Sequence, residues 1–332
     1  MPRAHLLVGN PTAQSGKNAE RIEKACALLA SSGIECDFLP TEPDARTIPA
    51  VTAALDRGPY STVVYMGGDG TFREVAAGLL ASTRAGEVAL GMLPTGTAND
   101  QGRSFGLEAG EADLSRNVDV IVAGNETRLD AGRITAGSRT DLFFDSAGWG
   151  LSARVLAARN EDRRKVAELG PLGAVYRDQL VYAGALLRTF LESYVVDDKF
   201  NAIVQADGVR HELRGVTDLV IKGTRVYGGA WVFDPASRHD DGLFEIVPFC
   251  GKRDWLSKAI VDLDGNPLTE ERLNAVGIEH SKSFRAAHIE IAFDAPADGA
   301  PLASQIDGEQ FPATPEVRVD VLPRALRLIV PA

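Results

Sequence analysis

The chain lacks any apolar run approaching the ~18 residues that a membrane-spanning helix needs, so no stretch of it reads as a bilayer crossing. Basic charge is in deficit: 35 Lys and Arg face 46 Asp and Glu, a net charge of −11. Nucleic-acid binding needs a basic footprint, so that class is excluded as a general function. Broad adhesion to anionic membranes is disfavoured for the same reason, although a local basic patch stays open. Cysteine is scarce. Cys26, Cys36 and Cys250 have no metal-type spacing and cannot all pair within one chain, which fits a reducing, cytoplasmic compartment. The start, MPRAHLLVGNPT, has too short an apolar run for a signal peptide. Internal repeats and low-complexity tracts are absent as well.

What is present is ordinary for a soluble enzyme: 332 residues, 45% hydrophobic and 24% charged. That length is long for one core, so two domains are expected. Up to about residue 127, strand and helix patterns alternate. AHLLVGN, ECDFLPT, STVVYMGG and VALGMLPTGT read as strands. AERIEKACALLASSG, ARTIPAVTAALDRG and TFREVAAGLLAS read as helices, with Gly33 as a C-cap. Such alternation implies a parallel sheet covered on both faces. From residue 128 to about 321 the runs become short and alternating between Gly, Asp and Pro, as in an antiparallel sandwich. The expected architecture is therefore a doubly wound α/β domain, 1–127, followed by a β-sandwich domain, 128–321, with a last strand at 322–332 returning to the first. GWGLSA, Gly148 to Ala153, is taken as a sandwich turn.

One stretch asks for a ligand. VVYMGGDGTFREV runs from a buried strand through Gly67, Gly68, Asp69 and Gly70 straight into a helix. Glycine weakens such a segment unless the backbone needs it. A helix N-terminus with bare amides is an anion site. Asp69 would repel a naked phosphate, but is at home if a cation such as Mg²⁺ stands between them. Thr71 can cap the helix or donate to phosphate. The next strand ends in a similar loop, LPTGTAND, where Thr95, Gly96, Thr97 and Asn99 offer donors, and the first ends in GNPTAQSGKN. That last loop is too wide for a P-loop, and Asn18 stands where Ser or Thr is required.

NPTAQSGKN, GGDGTFREV and LPTGTAND, followed by YGGAWVFDPAS, DDGLFEIV, IDGEQF and VDVLPRALRLIVP, resemble the diacylglycerol kinase catalytic domain family over nearly the whole chain. That family includes sphingosine and ceramide kinases and soluble bacterial lipid kinases. The resemblance implies ATP- and Mg²⁺-dependent phosphorylation of a lipid hydroxyl between a nucleotide domain and a β-sandwich. It places Asn10, Pro11, Thr12, Thr41, Gly67, Gly68, Asp69, Gly70, Thr71, Phe72, Arg73, Glu74, Thr95, Gly96, Thr97 and Asn99 along the nucleotide. It makes Glu309 of Asp307-Gly308-Glu309 the proton acceptor, with Asp69 organising nucleotide and metal. It puts a metal at Arg238, Asp241 and Leu243, with only Asp241 giving a side chain. Read without the resemblance, Asp307-Gly308-Glu309 is a hairpin turn with a solvated carboxylate.

Departures from the family pattern fall at Asn99-Asp100-Gln101-Gly102-Arg103 and in two extra residues before Ser15-Gly16, which bear on nucleotide contact. Asp145 and Lys222-Gly223-Thr224 stand where amides are common, which bears on the lipid species. Diacylglycerol is the first acceptor expected. A sphingoid or ceramide acceptor, an NAD-kinase-like reaction on a soluble metabolite, and a catalytically silent binding module are the alternatives. The partner expected is a lipid presented by a membrane surface, met through transient peripheral contact, and a homodimer is left open. Arg154, Arg159, Arg163, Arg164 and Lys165 form the candidate basic patch, though Glu161, Asp162 and Glu168 intersperse it. Beyond it, Tyr176, Leu180, Ala183, Leu187, Phe190 and Tyr194 mark an apolar helical stripe.

Overall fold

A computed structural model of the chain describes residues 4–96, 98–157, 199–227, 231–232, 237–251, 282–294 and 302–332. The first part alternates as its periods require: β1 (Ala4–Gly9), α1 (Lys17–Ser31), β2 (Glu35–Pro40), α2 (Thr47–Arg57), β3 (Tyr60–Gly67), α3 (Asp69–Ala81) and β4 (Ala89–Pro94). The runs Leu6–Val8 and Val63–Met66 are continuous rather than alternating because parallel strands are covered on both faces. On one face α1 seats Ile22, Ala25 and Leu29 against Leu7, Val64 and Met66. On the other, Val51 of α2 and Phe72, Val75 and Leu79 of α3 pack on Val63 and Tyr65. Gly33, at φ +76°, ends α1 by donating its N–H to the Ala30 carbonyl.

The four strands lie parallel in the order β2-β1-β3-β4. The chain therefore winds outward in both directions from a switch between β1 and β3. Gly9 lies beside Pro40 and Met66, and Gly67 beside Pro94, so all four strands finish along one edge. A crevice outside the carboxyl ends at such a switch point is where open α/β sheets bind ligands.

The helices α4 (Asp100–Ser104) and α5 (Asp113–Ala123) lead into the antiparallel half. Its strands are β5 (Glu126–Ala136), β6 (Arg139–Phe143), β7 (Ser146–Gly150), β8 (Phe200–Ala206), β9 (Val209–Val216), β10 (Asp218–Lys222), β11 (Val226–Tyr227), β12 (Trp231–Val232), β13 (Phe244–Phe249), β14 (Phe284–Ala286), β15 (His288–Phe293), β16 (Ser304–Ile306), β17 (Glu309–Phe311) and β18 (Glu316–Ile329). One layer runs β14-β13-β10-β7-β16-β17. It faces a second layer of β18, β15, β8 and β9 across a core that includes Phe143, Trp149, Phe200, Phe244 and Ile291.

The second layer is continuous with the parallel sheet. Val317–Leu322 of β18 pair with Ala131–Ala136 of β5, Leu326–Ile329 pair with Glu126–Leu129, and Leu328 also pairs in parallel with Leu90 of β4. One ten-stranded sheet thus runs through both halves, and position 127/128 falls inside β5. The structure corrects the expected turn at Gly148–Ala153. Ser146–Gly150 is an inner strand, paired on one side with β10 and on the other with β16, and a helix starts at Leu151. Its small residues let neighbours close in: a Cβ on Gly150 would lie 2.5 Å from the Thr217 carbonyl oxygen. Arg154 is described, while the other four residues of the basic patch and the whole apolar stripe at 176–194 lie outside the described residues. Among the described residues no helix is long and apolar enough to cross a membrane.

Candidate active site

The glycine turn joins β3 to α3 at the edge where the strands end. Gly68 is extended, at φ −99° and ψ −169°, and α3 begins at Asp69. The first turn of a helix has N–H groups with no intrahelical partner, and here they open at the crevice. Each glycine is set by what lies against it. A Cβ on Gly67 would come within 2.4 Å of Thr71 Oγ1, and one on Gly96 within 2.6 Å of the Gly68 Cα. The two loops therefore touch through bare backbone. The Thr95 and Gly96 N–H groups donate to the Gly67 carbonyl at 2.7 and 3.2 Å.

Asn99, expected to offer a donor to ligand, spends its amide inside this loop. Held at φ +53° and 1% exposed, it accepts from the Gly96 N–H at 2.9 Å and donates back to the Gly96 carbonyl. Gly96→Ala is expected to push the loops apart at a cost of about 1–3 kcal/mol of overpacking. Nucleotide affinity should fall about tenfold or more while the far-UV spectrum is retained, as titration calorimetry would read.

Three aspartates converge behind the turn. Asp69 accepts from the Gln101 N–H at 3.2 Å. Burial, and then the Asp145 carboxylate, push its carboxyl up to about 6 against the pull of backbone amides. Asp307 is buried and accepts from the N–H groups of Phe144, Asp145 and Ser146 at 2.9, 2.8 and 3.1 Å. Burial, and then Asp145, push it up to about 7, although those amides and Arg73 pull the other way. Asp145 itself is paired: Lys222 Nζ donates to it at 2.6 Å and Thr224 Oγ1 donates to the same oxygen. Lys222, 2% exposed, also donates to Thr224 Oγ1 at 3.1 Å and to the Val226 carbonyl.

Glu309 reaches this cluster through a hairpin. Ile306 pairs with Glu309 across a two-residue turn, Asp307 at φ +46° and Gly308 at φ +77°. Two positive φ values make the type I′ connection that Asp-Gly favours. The Asp307 carboxylate ties the turn to the 144–146 backbone, and the turn carries Glu309 back over the glycine loop. A Cβ on Gly70 would lie 3.5 Å from Glu309 Oε1. An exposed hairpin carboxylate and a carboxylate above the glycine turn are thus the same residue.

The other expected residues divide. At the β1 end, Asn10 Oδ1 accepts from Thr12 N–H and Oγ1 at 2.9 and 2.8 Å, folding Asn10-Pro11-Thr12 into a turn beside the switch. The Thr41 N–H donates to the Gly9 carbonyl at 3.0 Å, which holds the end of β2 next to it. Glu74 is half-buried on α3. The Phe72 side chain is 1% exposed and packs edge-on against Tyr65 and Phe144, so it is core, and its N–H donates to the Gly68 carbonyl at 3.0 Å. Arg73 is engaged by Asp141 at 2.7 Å and the Leu142 carbonyl at 3.2 Å, bracing α3 against β6. Thr97 lies outside the described residues.

At the expected metal position, Arg238 is paired with Asp240 at 3.0 Å. Asp241 accepts from the Leu243 N–H at 3.1 Å and lies 3.7 Å from Arg285. Among the described residues no three His, Cys, Asp or Glu gather as a metal-holding group. The loop also braces the junction of the halves: Asp130 accepts from the Gly242 and Arg324 N–H groups at 2.7 and 2.5 Å, and His239 meets Thr127 at 3.0 Å. Sequence reasoning missed Asp307 as the tie for its turn, and missed that Asp145 and Lys222 are partners. The signal for the pair was two opposite charges at two positions where neutral amides were expected.

Residues 4–134 match the diacylglycerol kinase catalytic domain family. A Pseudomonas aeruginosa protein named "Probable lipid kinase YegS-like" is 30% identical over 320 residues, covering 96% of this chain and 92% of its own. A Klebsiella pneumoniae protein of the same name is 28% identical over 340 residues, covering 99% and 96%. The crystal structure of a Bacillus anthracis diacylglycerol kinase superposes with a TM-score of 0.70 at 20% identity, covering 99% of this chain and 97% of that one, a likeness of fold.

Proposed function

The chain belongs to the diacylglycerol kinase catalytic domain family, and from that premise we propose that it moves the γ-phosphoryl group of ATP to the free hydroxyl of diacylglycerol at a membrane surface, forming phosphatidic acid. The family is one of lipid kinases and implies ATP as donor. The observation that carries the reading is the approach of Glu309 Oε1 to the Gly70 position, over a helix start lined by Gly67, Gly68 and Gly70. Phosphoryl transfer asks the protein mainly for alignment and charge stabilisation, with the base orienting the hydroxyl and taking its proton late. The bare amides of the glycine turn bind the polyphosphate. Glu309 accepts a hydrogen bond from the acceptor hydroxyl and then its proton. Asp307 keeps that carboxylate in place, and the clamp of Asn99 on Gly96 keeps the second loop against the first.

Asp69 fits a divalent cation. Its carboxyl is raised by burial and by a neighbouring carboxylate, a setting that a cation relieves. Magnesium held there would neutralise phosphate oxygens when bound. The 238–243 loop fits a cation less well, since Asp241 is already held between the Leu243 N–H and Arg285. The test is a radiolabelled ATP assay on diacylglycerol, monoacylglycerol, ceramide and sphingosine in mixed micelles, with NAD in solution alongside. Label on diacylglycerol is expected. Label on ceramide or sphingosine alone would move the acceptor within the lipid class, and label on NAD alone would end the lipid reading.

A further inference from the structure

We infer that Cys26 and Cys36 form a dithiol modification site that consumes hydrogen peroxide and closes to a disulfide joining α1 to the edge strand β2. Neither residue is needed for phosphoryl transfer, so the inference stands apart from the reading above. Cys26 lies on the face of α1 that packs on the sheet, and Cys36 lies on the same face of β2. Both are half-buried at the rim of that cluster, and their Sγ atoms stand 3.2 Å apart. A disulfide needs about 2.0 Å, so closure asks for a shift of about an ångström from side chains that already face each other. Among the described residues β2 pairs only with β1 and ends its sheet, so no described strand lies on its outer side to resist that shift.

The two thiols are not equivalent. The contact between the two thiols, in which either sulfur can donate, lowers the Cys26 thiol to about 7 despite burial and, together with burial, raises Cys36. Cys26 is taken as the attacking thiol and Cys36 as the resolving one; with the roles exchanged the same disulfide forms. In the first step the Cys26 thiolate attacks one peroxide oxygen. The O–O bond breaks, the departing oxygen takes a proton and leaves as water, and Cys26 becomes a sulfenic acid. In the second, Cys36 sulfur attacks Cys26 sulfur, the S–O bond breaks, and the hydroxyl leaves as water with the Cys36 proton. Two thiols lose two electrons together, and one peroxide is reduced to two waters.

The link would tie together two elements that both border the crevice: α1 through the Asn10–Gly16 loop before it, and β2 through Thr41, whose N–H is bonded to the Gly9 carbonyl. Cys250, beyond β13 in the other layer, serves as the internal reference.

The full chain treated with one equivalent of hydrogen peroxide at neutral pH should lose two of its three titratable thiols. The tryptic peptide Ala25–Arg46, which holds both cysteines, should come off lighter by two hydrogens. Cys250→Ser should give the same product. Cys36→Ser should stop at a sulfenic acid on Cys26 that a 1,3-dione captures. Alkylation of the native protein at pH 7 should be about tenfold faster at Cys26 than at Cys250, as a lowered thiol requires. The inference is overturned if the native peptide instead gains oxygen on Cys26 while Cys36 stays a thiol. It is equally overturned if Cys26 and Cys36 oxidise no faster than Cys250.

Discussion

Glu309→Gln is expected to lower kcat by about 10²–10⁴-fold, the usual worth of a general base, and to leave nucleotide affinity unchanged. The substitution keeps size, hydrogen-bonding reach and the hairpin, since Glu309 is exposed and its pairing with Ile306 is through backbone. What it removes is the ability to take a proton. Glutamine can still accept a hydrogen bond from the acceptor hydroxyl, so KM for lipid should move little and the loss should appear in turnover. Asp307→Asn makes the contrast. Asp307 touches no open space; it is buried against three backbone amides. Asparagine there brings an N–H₂ against one of those donors, and the turn loosens. That variant should lose thermal stability together with activity, whereas Glu309→Gln should lose activity alone. A Glu309→Gln enzyme within a factor of a few of wild type in single-turnover kinetics would remove the base role from this residue.

The glycine turn was readable because its chemistry is local. A buried strand, three glycines and a helix start lie within a few residues, and the parallel order of the strands then fixes where the turn must sit. Asp307-Gly308-Glu309 was readable twice over, as a type I′ hairpin and as a motif. The structure shows these as one fact, since positive φ at Asp307 and Gly308 is what turns Glu309 toward Gly70. Other features depended on pairing between distant residues, which periodicity does not encode. β18 reads as an alternating strand wherever it goes; that its two segments bind opposite ends of β5 and carry one sheet through both halves is a matter of register. Gly148–Ala153 reads as a turn because its glycines lie in the β-rich half without a βαβ unit, yet Gly148 and Gly150 suit an inner strand pressed between β10 and β16. Phe72 and Asn99 lie inside motifs expected to face a ligand, but one is needed by the core and the other by the loop. Motif membership told where the backbone goes and not where each side chain is spent.

Lys222→Met is expected to destabilise the fold by about 3–5 kcal/mol, the cost of removing one member of a buried ion pair. Lys222 and Asp145 are 2% and 3% exposed and 2.6 Å apart, and with the ammonium gone the Asp145 carboxylate keeps, among the described residues, the Thr224 hydroxyl as its side-chain donor. It would then face Asp69 and Asp307, the two carboxyls it already pushes up, without its counter-charge. Asp145→Asn should cost a comparable amount for the converse reason, leaving a buried ammonium with neutral acceptors, Thr224 and the Val226 carbonyl, among the described residues. The double variant, Asp145→Asn with Lys222→Met, is the discriminating case. The introduced amide still accepts from Thr224, the introduced thioether chain fills most of the lysine's volume, and no charge is left unpaired. Replacing both partners should therefore cost much less than the two single losses added together. Urea unfolding at constant m-value reads all three, and strict additivity would mean that the two residues do not stabilise one another. Because the Asp145 and Ser146 amides hold Asp307, and Asp307 holds the turn under Glu309, the same series reports on catalysis. A double variant that recovers stability should also recover most of the turnover lost by Lys222→Met, with nucleotide KM unchanged throughout.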